Sequence, residues 1–253
     1  MSRQELRPII QRFDSLPSTN TEAARQAAHG VPEGLCVVAR EQTAGRGRRQ
    51  RAWISPAGTG LYFSIVLRPQ LETRVWPLLT LMAALAVHDA LKEACALVTD
   101  IKWPNDIMVG ERKLCGILAE TFEGGTTRAC IVGIGINLRE KSFPPDLHEV
   151  AASVEAVTGR APDEEGVLQS LVRRLIDRYA RLHTPNGARE LIDEWMARSS
   201  YAVNKSVRVT IASETFEGTT RGLETDGALR VETRDGETKI VRAGDVAAVR
   251  RMT

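Results

Sequence analysis

Two hydrophobic rhythms run along this chain, and the change between them falls near residue 204. Upstream of it, apolar runs of strand length alternate with longer stretches rich in Ala and Leu. GLCVVAR (34–40), GLYFSIVLRP (60–69), LVTDIKW (97–103), RKLCGILAETF (112–122) and RACIVGIGINL (128–138) predict strands. The last two flank EGGTT, which predicts a hairpin turn. VWPLLTLMAALAVHDALKEAC (75–95) is long and apolar, predicting a mostly buried helix. Thr19 and Glu22 have the T-x-x-E spacing of a capping box, so a helix is expected from there to Gly30. Apolar spacings of three and four predict further helices near 163–182 and 187–198. Downstream, VRVTI, TFEGTTRGL, ALRVET and TKIVRAGDV alternate with period two around TDG and RDG turns. About fifty residues of that kind predict a small β-barrel of the SH3-like size class. The expected division is therefore 1–202 and 203–253.

Composition narrows the classes. With 253 residues, 43% hydrophobic and 26% charged, the chain can bury a proper core. A net charge of +2 argues against a general nucleic-acid or membrane binder. Cys36, Cys95, Cys115 and Cys130 sit mostly in apolar runs without metal-ligand or C-x-x-C spacing, as buried reduced thiols would. The N-terminal residues contain no apolar leader, and no stretch approaches eighteen apolar residues. A cytoplasmic location is expected.

Against that near-neutral background, AGRGRRQRAWISPAGTG (44–60) concentrates Arg46, Arg48, Arg49 and Arg51 with four glycines and Trp53. Like charges and glycine entropy predict a loop reluctant to fold until an anion arrives. It has no Walker A pattern, and Gln50 breaks a G-x-G-x-x-G fingerprint. Glycine amides with guanidinium forks suit a phosphate-bearing ligand, and Trp53 offers a stacking face. A solvated basic turn or a small nucleic-acid patch fits the loop about equally well.

KWPNDIMVGERKLCGILAE (102–120) shifts the balance. Pro104 breaks the preceding strand, Asn105 and Asp106 follow as turn residues, and Lys102 and Lys113 flank the turn. Both lysines face one site if their strands pair. Two lysines, a carboxylate and a cationic loop fit activation of a carboxylic acid by a nucleotide. In GIGINL (133–138), Asn137 ends an apolar strand and needs partners, while Gly133 and Gly135 leave room for a backbone or a ligand. STN (18–20) reads first as a helix N-cap, whose free amides also suit a ligand.

Together, STN, EQTAGRGRRQRAWISPAGTGLYFSIVL, KWPNDIMVGERKLCGILAE and GIGINL, in this order, closely resemble the biotin protein ligases over residues 15–140. The tail from 204 agrees with that family's small C-terminal domain. The resemblance implies an α+β fold: a class II synthetase-like biotin–lipoate ligase domain of mixed sheet and helices, with a C-terminal SH3-like β-barrel. It implies two steps: biotin and MgATP give biotinyl-5′-AMP, and a lysine of a biotin carboxyl carrier protein then takes the biotin. Biotin and ATP with Mg²⁺ are substrates, and no tightly bound metal or prosthetic group is implied.

By the same resemblance, Ser18, Thr19 and Asn20 border biotin, Gln42 meets its head group, and Gly116 adjoins it. Arg46, Gly47 and Arg48 fold over biotin and the adenylate. Lys113 contacts the carboxyl and the phosphate, Trp53 encloses the adenine, and Asn137 lies near it. Arg51, Lys102 and Asn105 complete the nucleotide set. Lys113, Arg48 and Asp106 carry the catalysis, Asp106 in the second step. Neither DNA nor a membrane is an expected partner, and a homodimer is compatible. Only seventeen residues precede STN, so the N-terminal helix-turn-helix domain of some members is expected to be missing. Gln50 stands where glycine is frequent and Cys115 where alanine is common. Three competing readings stand beside it: a lipoate or octanoate ligase, which shares the fold; a basic nucleic-acid module built on GRGRRQR and Trp53; and an inactive scaffold that keeps the fold, against which the full set of polar site residues speaks.

Overall fold

The computed structural model describes residues 6–124, 127–140, 144, 147–242 and 244–248. A seven-stranded sheet is built from β1 (Ile9–Leu16), β2 (Leu35–Gln42), β3 (Gly60–Leu67), β4 (Asp100–Lys102), β5 (Asp106–Val109), β6 (Arg112–Gly124) and β7 (Thr127–Asn137). Its order is β1-β2-β3-β7-β6-β5-β4, with β1 parallel to β2 and every other pair antiparallel. A second, antiparallel sheet contains β8 (Val203–Ile211), β9 (Glu214–Leu223), β10 (Leu229–Thr233), β11 (Thr238–Val241) and β12 (Asp245–Ala248). The fold is α+β, as the alternation of elements implies.

Helix α1 (Thr19–Ala28) packs on one face of the large sheet, where Ala23 and Ala27 meet Leu35, Val37, Val66, Ala129 and Ile131. The other face carries α2 (Leu78–Cys95), α4 (Glu164–Leu182) and α5 (Gly187–Ala197), with the short α3 (Val154–Thr158) leading in. Alternation sends Cys130, Val132, Ile134 and Ile136 of β7 to this second face, and its odd-numbered residues to the first. The helices are pinned by Arg178 of α4, a buried guanidinium that pairs with Asp89 of α2 and, at 3.0 Å, with Glu194 of α5.

The second sheet is not a separate bead. Its Val207, Val209, Leu229 and Val231 belong to the same apolar cluster as α2 and α4. Trp103, in the turn after β4, donates its indole N–H to Gly227 O at 3.0 Å, and Ser199 Oγ donates to Ile101 O at 2.5 Å.

Four expectations need correction. IIQRFDSL forms β1 although no strand is expected there; it is an edge strand, mostly exposed, so it lacks an alternating apolar stripe. The helix cap is Ser18, whose hydroxyl accepts from Thr21 N, so Thr19 lies inside the helix and Glu22 pairs with Arg25 rather than closing a capping box. The strand expected at 97–103 shrinks to β4, and β5 appears as a strand of its own beyond the Pro104 turn. Residues 73–95 are long and apolar enough to cross a bilayer, against the expectation, yet α4 and the sheet bury most of that helix. The EGGTT turn joins β6 to β7 in register from Gly124 to Thr127, but residues 125 and 126 lie outside the described residues.

Because one core serves both sheets, Trp103→Phe should weaken the whole fold. Losing the bond to Gly227 is worth about 1 kcal/mol. A lower urea midpoint with an unchanged slope is the expected result. Two separated transitions in the parent protein would show that the sheets fold independently.

Candidate active site

On the α1 face, the middle of the large sheet is bare. Gly116 of β6 stands opposite Gly135 of β7, and Gly133 stands between Leu118 of β6 and Ser64 of β3. A Cβ at Gly133 would overlap Asn20 Oδ1, and one at Gly135 would overlap the indole nitrogen of Trp53. A Cβ at Gly116 would stand 3.1 Å from the Trp53 ring and 3.2 Å from Lys113 Nζ. The room expected beside Gly133 and Gly135 is thus taken by side chains, which lie flat on the sheet and form the floor of a cavity.

One wall is the start of α1. Thr19 N donates to Gln42 Oε1 at 2.8 Å, and Gln42 Nε2 donates to Ser55 Oγ at 3.0 Å. Buried Ser64 Oγ donates to Asn20 Oδ1 at 2.6 Å and lies 2.7 Å from Thr19 Oγ1. Asn20 Nδ2 donates onward to Glu120 Oε2 at 2.7 Å, which also pairs with Arg46 at 3.2 Å. This chain fixes Ser18, Thr19, Asn20 and Gln42 as a mixed set of donors and acceptors. Glu120 and Ser64 are members that the sequence reading gave no role.

The arginine loop has a defined fold. Trp53 N donates to Gly45 O at 2.9 Å and Gly47 N to Arg51 O at 2.7 Å, so the loop is a tight hairpin. Gly45 is required there, since a Cβ would overlap Trp53 O. Gln50 adopts φ +60°, in the left-handed region that glycine tolerates best. Mutual repulsion is relieved by carboxylates: Arg46 faces Glu120, while Arg49 (3.0 Å) and Arg51 both face Asp245. Arg48 differs. It donates to two neutral oxygens, Asn105 Oδ1 and Gly244 O, both at 3.3 Å, and among the described residues it pairs with no carboxylate. Burial lowers its pKa without removing its charge at neutral pH.

Lys113 reaches the cavity through a β-bulge. The β5–β6 register shifts between Ile107 and Met108, so Leu114 and Cys115 both face the core and Lys113 turns to the same side as Gly116. Its Nζ lies 2.6 Å from Asp106 Oδ1 and 5.3 Å above the Trp53 ring. Its backbone is held by residues 150–152: Lys113 N donates to Val150 O and Ala152 N to Lys113 O, each at 2.8 Å. Asn137 Nδ2 clamps the same place, donating to Ala152 O at 3.1 Å and Lys113 O at 3.4 Å. Leu147, Val150 and Ala151 form a wall that sequence reasoning missed, because this segment has no regular periodicity to read.

The result is a cavity of about 270 Å³, polar at the α1 end and cationic at the loop end. Every site residue expected from sequence borders it except Lys102. Lys102 pairs across β4–β5 with Asp106, but β5 separates it from β6, and its ammonium lies 5.9 Å over the Tyr201 ring. Burial pushes its pKa down, against the pull of Asp106. Cys36, Cys115 and Cys130 are buried free thiols, and Cys95 is half-buried. Burial raises Cys36 and Cys130 to about 12, which keeps them unreactive.

Residues 12–137 match the Biotin/lipoate A/B protein ligase family, and residues 203–248 match the Biotin protein ligase C terminal domain. That pair of matches defines the class. The chain belongs to the biotin protein ligases. It is 38% identical to the Biotin--[acetyl-CoA-carboxylase] ligase of Paracoccus denitrificans over 221 residues, covering 84% of this chain and 89% of that one. It is 39% identical to the Bifunctional ligase/repressor BirA of Bacillus subtilis, covering 91% of this chain and 71% of that one. Among solved structures it is similar to the biotin protein ligase from Aquifex aeolicus in complex with biotin and ATP. There the TM-score is 0.83 at 28% identity, covering 95% of this chain and 98% of that one.

Gly133→Ala tests the bare floor. Its methyl group would force the Asn20 amide off Ser64 and Glu120, and stranding the buried Asn20 and Ser64 groups costs roughly 1–3 kcal/mol. The expected outcome is a matching fall in unfolding free energy. A variant as stable as the parent would mean that the Asn20 contacts contribute nothing.

Proposed function

We propose that the protein adenylates biotin at this cavity and passes the biotinyl group to a lysine of a biotin carboxyl carrier protein. In the first step a biotin carboxylate oxygen bonds to the α-phosphorus of ATP and pyrophosphate leaves. In the second, the carrier's lysine amine bonds to the acyl carbon, AMP leaves, and the amine loses a proton. The observation that carries this reading is the polarity of the cavity. Donors and acceptors at the α1 end suit a neutral ureido head, while Lys113 and Arg48 stand where a carboxylate and a phosphate must be joined.

Two anions repel, so joining them needs fixed positive charge at the bond that forms. Lys113 supplies it from a held position, since its backbone is clamped on both sides and its ammonium is steered by Asp106. Arg48 supplies it from the loop, where among the described residues no carboxylate forms an ion pair with it. Asp106 adjoins the same place, where it receives the proton of the incoming lysine. Trp53 and the 147–151 segment screen the mixed anhydride from water. Mg²⁺ enters with ATP, bound largely by phosphate oxygens and water, and shields the triphosphate. Buried free thiols support a reducing, cytoplasmic setting.

Incubation with biotin and MgATP should yield biotinyl-AMP by mass spectrometry, with no adduct from lipoate. Adenylation of lipoate alone would assign the site to the other branch of the family. Lys113→Ala should slow adenylate formation by roughly a hundredfold or more, the effect of removing one preorganised donor. Its melting temperature should stay close to that of the parent, because Lys113 fills no core. Near-parental turnover would take Lys113 out of the mechanism.

A further inference from the structure

Asp245 lies at the start of β12, far from the other site residues in sequence, and it borders the cavity. It is the shared acceptor of two loop arginines, Arg49 and Arg51. Its neighbourhood repeats the contact with backbone oxygens: Gly244 O accepts from Arg48 at 3.3 Å and Thr210 O accepts from Arg49 at 3.1 Å. The hairpin of 45–53 is thus seated on the edge formed by β8 and β12. Arg49 and Arg51 direct their guanidinium hydrogen bonds to the second sheet. A seating role fits, because it leaves Arg48 as the loop's uncommitted cation.

We propose that Asp245 is a positioning residue of the adenylation site, a clasp that seats Arg49 and Arg51 on the second sheet so that the loop stays folded over the cavity and Arg48 faces it. The clasp acts through the loop, not on the reacting atoms. It makes the residence of an acyl-adenylate depend on the C-terminal sheet, a consequence that rests on the biotin-adenylating function proposed above. The seating of the loop itself does not rest on it. Two half-exposed pairs sharing one carboxylate hold weakly enough to open for substrate entry and strongly enough to bias the loop toward closure.

The first arm of the test needs no ligand. Trypsin cleaves after the loop's arginines when the loop opens, and the rate reports the open fraction. Asp245→Ala should raise loop cleavage fivefold or more, and Asp245→Glu, which keeps the charge, should restore it to within twofold of the parent. Arg49→Ala removes one arm at the protein surface, and cleavage after Arg51 should rise there too. In the Asp245→Ala background, Arg49→Ala should add little, the non-additivity of a shared contact. Parental cleavage rates in folded Asp245→Ala and Arg49→Ala would overturn the clasp, as would full additivity of the two. Should Asp245→Ala fail to fold, Arg49→Ala alone decides.

The second arm forms the adenylate with biotin and MgATP, removes free substrates and follows its release. Release should quicken fivefold or more in Asp245→Ala and Arg49→Ala. Unchanged release from both, with faster cleavage, would overturn the link to residence while leaving the seating intact. Failure of the parent to form any adenylate would refute the proposed function and not the clasp, which the first arm judges.

Discussion

The site depends on a stretch of sheet that has no side chains on one face. Gly116, Gly133 and Gly135 sit on adjacent central strands in register, and the face they leave open receives Trp53, Lys113 and Asn20. Glycine weakens a strand through lost packing and backbone entropy. Here the strands tolerate it because their opposite face is fully apolar, with Cys115, Ile117, Ile134 and Ile136 in the main core. The two faces of the same residues' strands thus do different work. One holds the sheet together, and the other lets three functional groups approach the backbone more closely than any Cβ would allow.

Charge follows a similar division. Four guanidiniums within six positions would repel strongly if left alone, and the fold answers with two carboxylates from distant segments, Glu120 and Asp245. Exposed pairs of this kind are worth about 0–1 kcal/mol each. They set which way the loop leans, while its backbone bonds set its shape. Among the described residues Arg48 is the one of the four whose hydrogen bonds go to neutral oxygens, so no direct ion pair must break when an anion arrives. The ordering of the loop and the availability of charge are therefore one arrangement, not two.

Much of this was legible in the sequence, and what was not has identifiable causes. The long apolar helix, the central strands and the short-period tail declare themselves by periodicity. Fourteen site positions in four motifs are brought together, because motifs carry residue types that chemistry demands. The wall of Leu147, Val150 and Ala151 is invisible to periodicity, being irregular backbone held by two bonds to Lys113. Lys102 stands behind the cavity wall because β5 lies between β4 and β6, though its ammonium still feels Asp106, Lys113, Asp245 and Arg51. The same bulge that β5 and β6 share turns Lys113 inward; a one-residue shift of that kind leaves no mark in a single sequence.

Asp245 shows the limit most clearly. Read along the chain, it is a turn residue in a short strand of the tail, beyond a composition boundary that suggests a separate unit. In space, that boundary crosses a continuous core: Val207, Val209 and Leu229 pack in the same cluster as α2. A shared core fixes β12 relative to β6, so a carboxylate on one sheet can serve as a fixed seat for a loop on the other. Had the tail been tethered by a flexible linker, the same aspartate would offer the arginines no fixed place. The mechanical unit of this protein is therefore larger than the domain that composition outlines, and the site lies where its two sheets meet.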